Sequence, residues 1–395
     1  MRFRRCAALV VETVESHVFD LAGVLAGTTG VTAKQSLQVR AAHLDDPCVV
    51  DRDDCALLLM LSPTIWQSVP EEESARRQVL GLLDRGLLVS DDPAHADHHA
   101  SDGRVRSAHW WPLSAIHYRH SRWSATDSVA EMEGRQMVTA QDLVRQLGPP
   151  PPAWPPRAAG AISLPLRPAA PPDILLQERV TCRNYDAARS LPLQTVSDVL
   201  QQVLMAQATV ETEPGVHFLK KNVPSAGSMH PLEAFIVARG IEGLEDGLYH
   251  YHAMAHELAR LPEQPADLAA FSTKLLSGQH WFANAHVQVV LVCRFQRNFW
   301  KYRNHAKAYR AVILDAGHIS QAFYTAATRQ GLGAFVTAAI NEAEIETLLG
   351  LDPMAEGALA VCGFGWRSGE QATAELDPAG HVWTNGSLSM KQTGG

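Results

Sequence analysis

The stretch KNVPSAGSMHPLEAFIVAR, residues 221–239, joins turn-forming residues to an apolar run. A proline, two small residues and a glycine lead to His230 and a second proline, and residues 232–237 follow as the apolar run. The run predicts a buried strand of a central sheet. The small residues before it let a ligand approach the backbone closely. Because no phosphate-loop lysine is present, this turn suits a flat group better than a phosphate.

Helical and strand patterns alternate on both sides of this turn. Helices are predicted at 193–209, 304–329 and 342–349, and strands at 232–239, 247–252, 286–295, 333–340 and 358–366. Strands separated by long helices favour an α+β fold, in which a central mixed or antiparallel sheet is flanked by helices.

The length and one proline-rich stretch divide the chain. The 395 residues favour two units. The stretch LGPPPPAWPPRAAGAISLPLRPAAPPD, residues 147–173, cannot form a helix interior or a central strand. We therefore predict an N-terminal domain at 1–145, a linker at 146–173 and a C-terminal domain at 174–390.

The N-terminal domain has the pattern of a small winged helix. Apolar residues predict helices at 55–61 and 71–84, and LLVSDD then predicts a strand. Any other small α+β cap is the alternative. The histidine-rich residues 91–104 are predicted as a polar loop at the tip of a wing, with metal binding as the alternative. The aromatic residues 109–123 predict a strand that docks one domain on the other, or a surface for a partner peptide.

Composition excludes several classes of protein. Hydrophobic residues make up 46% and charged residues 19%, and the formal net charge of −8 argues against a nucleic-acid-binding protein. Six scattered cysteines without a CxxC pair indicate a reducing compartment, and no metal site is expected. No apolar run is long enough to span a membrane. The basic N-terminus lacks a cleavage site, so we expect a cytoplasmic protein.

The stretch RVTCRNYD, residues 179–186, has the chemistry to bind a phosphate. Arg179, Thr181 and Arg183 alternate, so in an extended segment they project to one side. Arginine pairs bidentately with phosphate oxygens. The alternative is a pair of solvated arginines at the start of a domain.

Four motifs together resemble the nitroreductase superfamily. They are RxTxRxY at 179–185, PSAGxxxPLE at 224–233, DAGHxxQ at 315–321 and GLG at 331–333. More closely, residues 174–370 resemble the SagB-type dehydrogenases and the peptide maturation dehydrogenases, which act on ribosomally made peptides.

The resemblance implies FMN at a homodimer interface. The implied cofactor-binding residues are Arg179, Thr181 and Arg183 at the phosphate and ribityl end, Pro224, Ser225, Ala226, Gly227 and Ser228 on the pyrimidine side, the backbone near Ala338 and Ala339 facing N5, and Arg367 as a further phosphate contact. The chain departs from the family pattern in two places: Asp315 replaces a glutamate, and Asn341 stands where glycine is common.

The resemblance also implies catalytic residues. Lys301-Tyr302 matches a Lys-Tyr pair that serves azoline-oxidising relatives. Oxidation of an azoline removes a proton and a hydride, and an adjacent ammonium lowers the pKa of a tyrosine that takes the proton. A surface Lys-Tyr at a helix N-terminus is the alternative. His230 is a second candidate base or a structural group.

Residues 315–321 carry three further polar side chains on one helix face. Asp315, His318 and Gln321 share that face. We expect them to form a buried polar cluster at the dimer contact, with a direct catalytic role as the alternative.

The sequence thus favours an FMN-dependent dehydrogenase that oxidises an azoline, or a similar saturated unit, of a precursor peptide. The N-terminal domain would bind the leader of that peptide by strand addition, and a cyclodehydratase complex is a further candidate partner. An NAD(P)H-dependent nitro- or quinone reductase and a non-enzymatic scaffold of a maturation complex are the alternatives. No nucleic-acid or membrane partner is expected.

Overall fold

The computed structural model describes residues 1–150 and 171–383. Residues 151–170 of the predicted proline-rich linker lie outside the described residues. The chain clusters into two compact units, which we call the first unit (residues 1–122, 294–312 and 351–357) and the second unit (residues 123–293, 313–350 and the chain from 358). The linear domain boundaries given above stay a prediction.

Strands and helices cover most of the described chain. The strands are Arg2–Arg5 (β1), Leu9–Phe19 (β2), Val31–Ala41 (β3), Cys48–Val50 (β4), Gln67–Ser68 (β5), Leu88–Ser90 (β6), Leu191–Pro192 (β7), Ala206–Glu213 (β8), Val216–Lys221 (β9), Leu232–Ala238 (β10), Ile241–Glu242 (β11), Gly247–His252 (β12), Glu257–Arg260 (β13), Val287–Arg294 (β14), Gly333–Thr337 (β15) and Glu356–Gly365 (β16). The helices are Leu21–Leu25 (α1), Arg52–Met60 (α2), Glu73–Asp84 (α3), Ala96–Ser107 (α4), Pro112–Ser121 (α5), Ser128–Gly134 (α6), Ala140–Leu147 (α7), Pro171–Gln177 (α8), Leu193–Leu204 (α9), Leu268–Leu275 (α10), His280–Ala283 (α11), Phe295–Lys301 (α12), Ala308–Arg329 (α13) and Glu342–Leu349 (α14).

A six-stranded sheet forms the centre of the second unit. Its strand order is β13-β12-β10-β14-β16-β15, and β10 pairs antiparallel with both β12 and β14. Residues 287–293 of β14 are all buried, as expected for a central strand that is covered on both faces. The predicted α+β fold with a central sheet is confirmed.

The predicted elements of the second unit agree with the structure where their pattern is local. Strand β12 and helix α14 have the predicted bounds, and β10 ends one residue early. The predicted helix 193–209 is wrong in its second part, because α9 ends at Leu204 and β8 begins at Ala206. Strand β8 is stabilised by antiparallel pairing with β9, a partner that the local sequence does not show.

The first unit combines helices with two small sheets. Strands β5, β1 and β6 form one antiparallel sheet, and β2, β3 and β4 form another. The predicted helices α2 and α3 and the strand β6 are confirmed. Phe3, Leu58, Leu82 and Leu88 lie in the core that joins these elements.

Two predictions about the first unit are wrong. Residues 96–104 of the predicted wing loop belong to helix α4, and residues 112–121 of the aromatic segment predicted as a strand form α5. Helix α4 is held by the buried Asp102, which accepts a hydrogen bond from the Ala7 N–H, 2.6 Å away. Pro112 occupies the first turn of α5, where proline favours a helix start.

The hairpin of β2 and β3 is absent from the sequence prediction. Its strands pair from Leu9↔Ala41 to Phe19↔Val31.

Within the described ranges, no helix is long and apolar enough to cross a membrane.

The pairing of β15 with β16 predicts a packing defect when Gly363 gains a side chain. Gly363 lies opposite Phe335, and a Cβ on Gly363 would come within 2.1 Å of Phe335 Cε1. The Phe335 ring is itself stacked on Phe282 at 4.2 Å. We expect Gly363→Ala to lower the free energy of unfolding by about 1–3 kcal/mol, because the ring must move in a packed core.

The matched control is Gly369→Ala, since a Cβ at this exposed glycine meets nothing within 4 Å. Urea denaturation compares the two variants. Equal stabilities would contradict the close packing of Phe335 on Gly363.

Candidate functional site

Residues 179–184 alternate between the core and the surface of the second unit. Val180, Cys182 and Asn184 are buried, with relative exposures of 5%, 0% and 5%. Arg179, Thr181 and Arg183 are each half-buried between them. The three side chains predicted to bind a phosphate therefore share one side of an extended segment.

This extended segment is fastened to strand β15 and to helix α13. Thr181 forms a parallel bridge with Ala334, and the Cys182 N–H donates to the Ala334 carbonyl at 2.8 Å. The Thr181 hydroxyl lies 2.9 Å from the Tyr324 hydroxyl. The Arg179 guanidinium lies 5.2 Å from the centroid of the Tyr324 ring. The segment, the strand and the helix thus form one framework.

The arginines of this region differ in their partners. In the part of the chain that the structure describes, neither Arg179 nor Arg183 forms an ion pair. The Arg183 guanidinium lies 5.8 Å from the centroid of the Phe282 ring. Arg367 forms an ion pair with the buried Glu375. Two guanidiniums are therefore free of carboxylates, and the third is not.

The turn at 224–228 is held by a buried carboxylate of α13. Asp315 accepts hydrogen bonds from the Ser225 hydroxyl at 2.5 Å and from the Ala226 N–H at 3.2 Å. Gly227 and Ser228 are exposed, and their φ angles of 58° and 56° lie in the left-handed region. Pro224 is also exposed. The turn thus presents small groups and backbone at the surface, while its base is fixed.

The predicted buried cluster on α13 is only partly present in the single chain. Asp315 is buried, but His318 and Gln321 are exposed. Burial raises the pKa of the Asp315 carboxyl, and the Ser225 hydroxyl, the Ala226 N–H and His318 partly offset that rise. The short aspartate, which replaces the expected glutamate, reaches two donors of the turn.

His230 follows the turn and takes part in its hydrogen bonding through its backbone. Its N–H donates to the Ser225 hydroxyl oxygen at 2.9 Å. Its φ angle is 44°, and its side chain is half-buried. Ser225 therefore connects Asp315 with the backbone of His230.

The end of strand β15 is the third part of the candidate site, after the extended segment 179–184 and the turn at 224–228. The Ala339 N–H donates to the Thr337 hydroxyl at 3.1 Å, and the Ala339 carbonyl accepts from Gln279 Nε2 at 2.7 Å. Ala338 is exposed. Gln279 is the N-cap residue of helix α11, and its side chain fixes the chain just after β15. The sequence alone does not indicate this contact.

Asn341 is a structural connector. Its side-chain oxygen accepts from the Thr126 N–H at 2.9 Å, and its amide nitrogen donates to the Thr126 and Lys274 carbonyls at 3.0 and 2.7 Å. The residue is buried, with a relative exposure of 1%. Nothing near Asn341 in the sequence indicates these partners.

A pocket of about 430 Å³ adjoins the end of β15 in the second unit. Its lining includes Trp123, Met132, Leu143, Trp281 and Ala339. Two tryptophans and a methionine make it mainly apolar. Across residues 1–150 and 171–383, no cluster of three or more His, Cys, Asp or Glu side chains could hold a metal ion.

Lys301 and Tyr302 belong to the first unit, whereas the other predicted site residues belong to the second. Lys301 is the last residue of α12, and Tyr302 follows as its C-cap with a non-helical backbone. The Lys301 Nζ lies 5.8 Å from the centroid of the Tyr302 ring. The pair therefore lies at a helix C-terminus, not at the helix N-terminus considered above.

The buried Asp315 predicts a pH dependence of stability. Because its pKa is raised in the folded state, the neutral carboxyl is favoured there. The free energy of unfolding should therefore rise as the pH falls through the folded pKa, and level off below the unfolded value of about 3.9. Urea denaturation between pH 7 and pH 4.5 measures this contribution as the difference between a parent protein and its Asp315→Asn variant.

Both proteins carry His318→Gln, because the charge of His318 acts on Asp315. The parent should gain stability relative to Asp315→Asn as the pH falls. A difference that stays constant or shrinks would contradict the raised pKa.

Comparison with known proteins identifies relatives of this chain. The sequence model of the nitroreductase family matches residues 176–366. The chain is 31% identical over 177 residues to the trifolitoxin-processing protein TfxB of Rhizobium leguminosarum bv. trifolii, which covers 43% of this chain and 46% of TfxB. The chain thus spans about half the length of TfxB. It is 30% identical over 179 residues to MJ1384 of Methanocaldococcus jannaschii, a protein named as a nitroreductase, covering 45% of this chain and 82% of MJ1384.

Solved structures with a similar chain path include two of low identity. The E. coli microcin synthetase McbBCD complex with truncated pro-MccB17 bound contains a chain that is 19% identical, with a TM-score of 0.49, over 65% of this chain and 92% of that one. A protein of Anabaena variabilis named as a nitroreductase is 21% identical, with a TM-score of 0.42, over 50% of this chain and 38% of that one. From the family match and from the coverage of MJ1384, the chain belongs to the nitroreductase family.

Proposed function

We propose that this protein is an FMN-dependent dehydrogenase that oxidises an azoline, or a similar saturated unit, during maturation of a ribosomally made peptide. The observation that carries the proposal is the row of Arg179, Thr181 and Arg183 on one side of an extended segment, with no carboxylate paired to either arginine in the described chain. Membership of the nitroreductase family supports a flavin. The name of the relative TfxB, a trifolitoxin-processing protein, supports a maturation role.

The residues at the arginine row fit the phosphate of FMN. A guanidinium that lacks a carboxylate partner keeps its full charge for an anion, and it pairs bidentately with phosphate oxygens. The Thr181 hydroxyl, 2.9 Å from the Tyr324 hydroxyl, can donate to a further oxygen. A dianionic phosphate monoester would therefore meet two positive charges and a hydroxyl.

The turn at 224–228 fits the flat ring of a flavin. Gly227 and Ser228 expose backbone and small side chains, so a ring can approach without steric hindrance. Asp315 fixes the turn from below through two hydrogen bonds. At the end of β15, the exposed Ala338 would add a small contact near the ring. When bound, the flavin would supply the acceptor for a hydride.

The geometry of α13 favours a site built from two copies of the chain. Asp315 holds the turn, and Tyr324 touches the arginine row. These residues are nine positions apart, so their side chains leave the helix on opposite sides, roughly 180° around it and about 13 Å along it. The turn and the arginine row of one chain thus lie on opposite sides of α13. A homodimer could bring the turn of one copy to the arginines of the other.

Tyr302 is the proposed base that takes the proton of the substrate. The Lys301 Nζ lies 5.8 Å from the centroid of the Tyr302 ring, so the two residues of the Lys-Tyr pair that the family resemblance implies lie next to each other. His230 is the second candidate, because it lies next to the turn that would face the flavin.

The first unit is the proposed binding site for the leader of the precursor peptide. Strand β5 lies at an edge of its sheet, and Gln67 and Ser68 are exposed. The neighbouring Trp66 ring has the Arg4 guanidinium 4.3 Å from its centroid. An extended peptide could add a strand at this edge. A cyclodehydratase complex, as the source of the azoline, is a further proposed partner.

An NAD(P)H-dependent nitro- or quinone reductase is the second candidate function. The observation in its favour is the similarity to MJ1384, which is named as a nitroreductase and is covered over 82% of its length. A reductase of this kind would act without a peptide substrate. The two functions differ in the compound that reduces the flavin.

Anaerobic titration of the purified protein separates these functions. The proposed function predicts a flavin absorbance spectrum that is bleached by an azoline-bearing precursor. With Tyr302→Phe, bleaching by the precursor should slow by about 10²–10⁴-fold, because the proton acceptor is lost. Flavin content and any bleaching by NADPH should stay unchanged.

His230→Gln is the companion variant, and a larger effect there would assign the proton to His230. Bleaching by NADPH alone would favour the reductase. A protein that neither contains nor binds flavin would contradict both enzymatic functions and would favour a non-enzymatic scaffold of a maturation complex.

Removal of either arginine should weaken FMN binding without changing riboflavin binding. We expect Arg179→Gln and Arg183→Gln each to raise the Kd for FMN by about 10–100-fold, because a charge-assisted hydrogen bond is worth about 1.5–3 kcal/mol. Fluorescence titration with FMN and with riboflavin measures the ratio. The matched control is Arg260→Gln, which removes an exposed arginine on the sheet edge that pairs with Glu245. An equal loss for both flavins would contradict the phosphate role.

A further inference from the structure

Glu375 lies beneath the arginine row and is completely enclosed. Its relative exposure is 2%. One carboxylate oxygen accepts hydrogen bonds from the Arg183 N–H at 2.6 Å, from the Asn184 N–H at 3.1 Å and from Asn184 Nδ2 at 2.8 Å. The other accepts from Trp383 Nε1 at 2.8 Å and forms the ion pair with Arg367. A single side chain therefore fixes the backbone that presents Arg183.

The segment around Glu375 clamps the arginine row over several residues. The Asn184 amide is bonded to the Thr373 backbone through both its oxygen and its nitrogen, each at 2.7 Å. The Ser368 N–H donates to the Asn184 carbonyl at 2.8 Å. Glu375 lies beyond residue 366, where the match to the nitroreductase family ends.

Both terminal nitrogens of Arg367 are bonded within this segment and the arginine row. One of its terminal nitrogens pairs with Glu375, and the other donates to the Val180 carbonyl at 3.3 Å. A buried carboxylate without a cation would be costly, so Glu375 requires the charge of Arg367. The positive charge of Arg367 is neutralised within the chain, unlike those of Arg179 and Arg183 in the described residues.

We propose that Glu375 is a positioning residue of the anion site and that Arg367 is its charge partner, not a ligand of the phosphate. The ligand is a phosphate monoester held by Arg179 and Arg183. This inference rests on the proposed function and departs from the phosphate role that the family resemblance gives to Arg367. Glu375 acts by holding the Arg183 backbone, so that the Arg183 side chain points away from the core.

A double-mutant cycle tests the assignment, with Glu375→Gln, Arg367→Gln and the double variant. The readouts are the Kd for FMN, the Kd for riboflavin and the midpoint of thermal unfolding. Each single variant leaves one buried charge unpaired. Each should therefore unfold at a lower temperature and bind FMN roughly tenfold or more weakly, with a much smaller change for riboflavin.

The double variant separates the two roles of Arg367. If Arg367 only neutralises Glu375, the double variant recovers FMN affinity to within about threefold of the wild type, because the uncharged glutamine at 375 no longer needs a cation. If Arg367 binds the phosphate, the double variant stays as weak as Arg367→Gln, which overturns the inference. A Glu375→Gln variant that loses thermal stability but keeps the wild-type ratio of FMN to riboflavin affinity also overturns it.

Two controls make the cycle interpretable. The exposed pair Arg260–Glu245 is changed in the same way, and its variants should leave both flavin affinities and the unfolding midpoint unchanged. Inorganic phosphate serves as a second probe of the anion site. Binding of phosphate without FMN would refute the proposed function, while the same cycle measured with phosphate would still decide the inference. Binding of neither would overturn both.

Discussion

The extended backbone of residues 179–184 is the constraint on which the candidate site depends. A shift of one residue would exchange its buried and exposed sides, because side chains alternate along an extended segment. The Cys182 side chain prevents such a shift, since it fills the space beside Gly333: a Cβ on that glycine would lie 2.4 Å from the sulfur. The direction of the arginines is thus determined by the packing of their neighbours.

Helix α13 places a carboxylate at the turn and an uncharged aromatic ring at the arginine row. At the turn, its buried Asp315 contacts a hydroxyl and an N–H, both neutral donors. At the arginine row, it presents Tyr324, an aromatic ring beside Arg179 that brings no negative charge. The positive charge of the row is consequently not neutralised by Tyr324, as the proposed phosphate site requires. The turn, in contrast, presents small exposed residues against which the proposed flat ring could lie.

Much of this arrangement is local, and the sequence predicts it. The alternation of Arg179, Thr181 and Arg183 is visible in eight residues, and the bounds of β12 and α14 follow from their own periodicity. The partners that fix these elements lie far away in the chain. Glu375 is 192 positions from Arg183, and no local pattern marks it. The errors at α4 and β8 have the same origin, because Asp102 binds Ala7, 95 positions away, and β8 depends on its pairing with β9.

Asn341 shows that a departure from the family pattern can have a structural cause. The family pattern that the sequence resembles has glycine at this position, yet a glycine has no side chain to bond Thr126 and Lys274. Residues 123–126 precede the part of the chain that matches the family, and they are attached by Asn341 and by two glutamates of α14: the Trp123 N–H donates to Glu342, and the Ala125 N–H donates to Glu344. The same attached segment carries Trp123 to the pocket beside Ala339. The asparagine is therefore explained by the segment 123–126 that it attaches to the part of the chain that matches the family. This structural role does not depend on contact with a ligand.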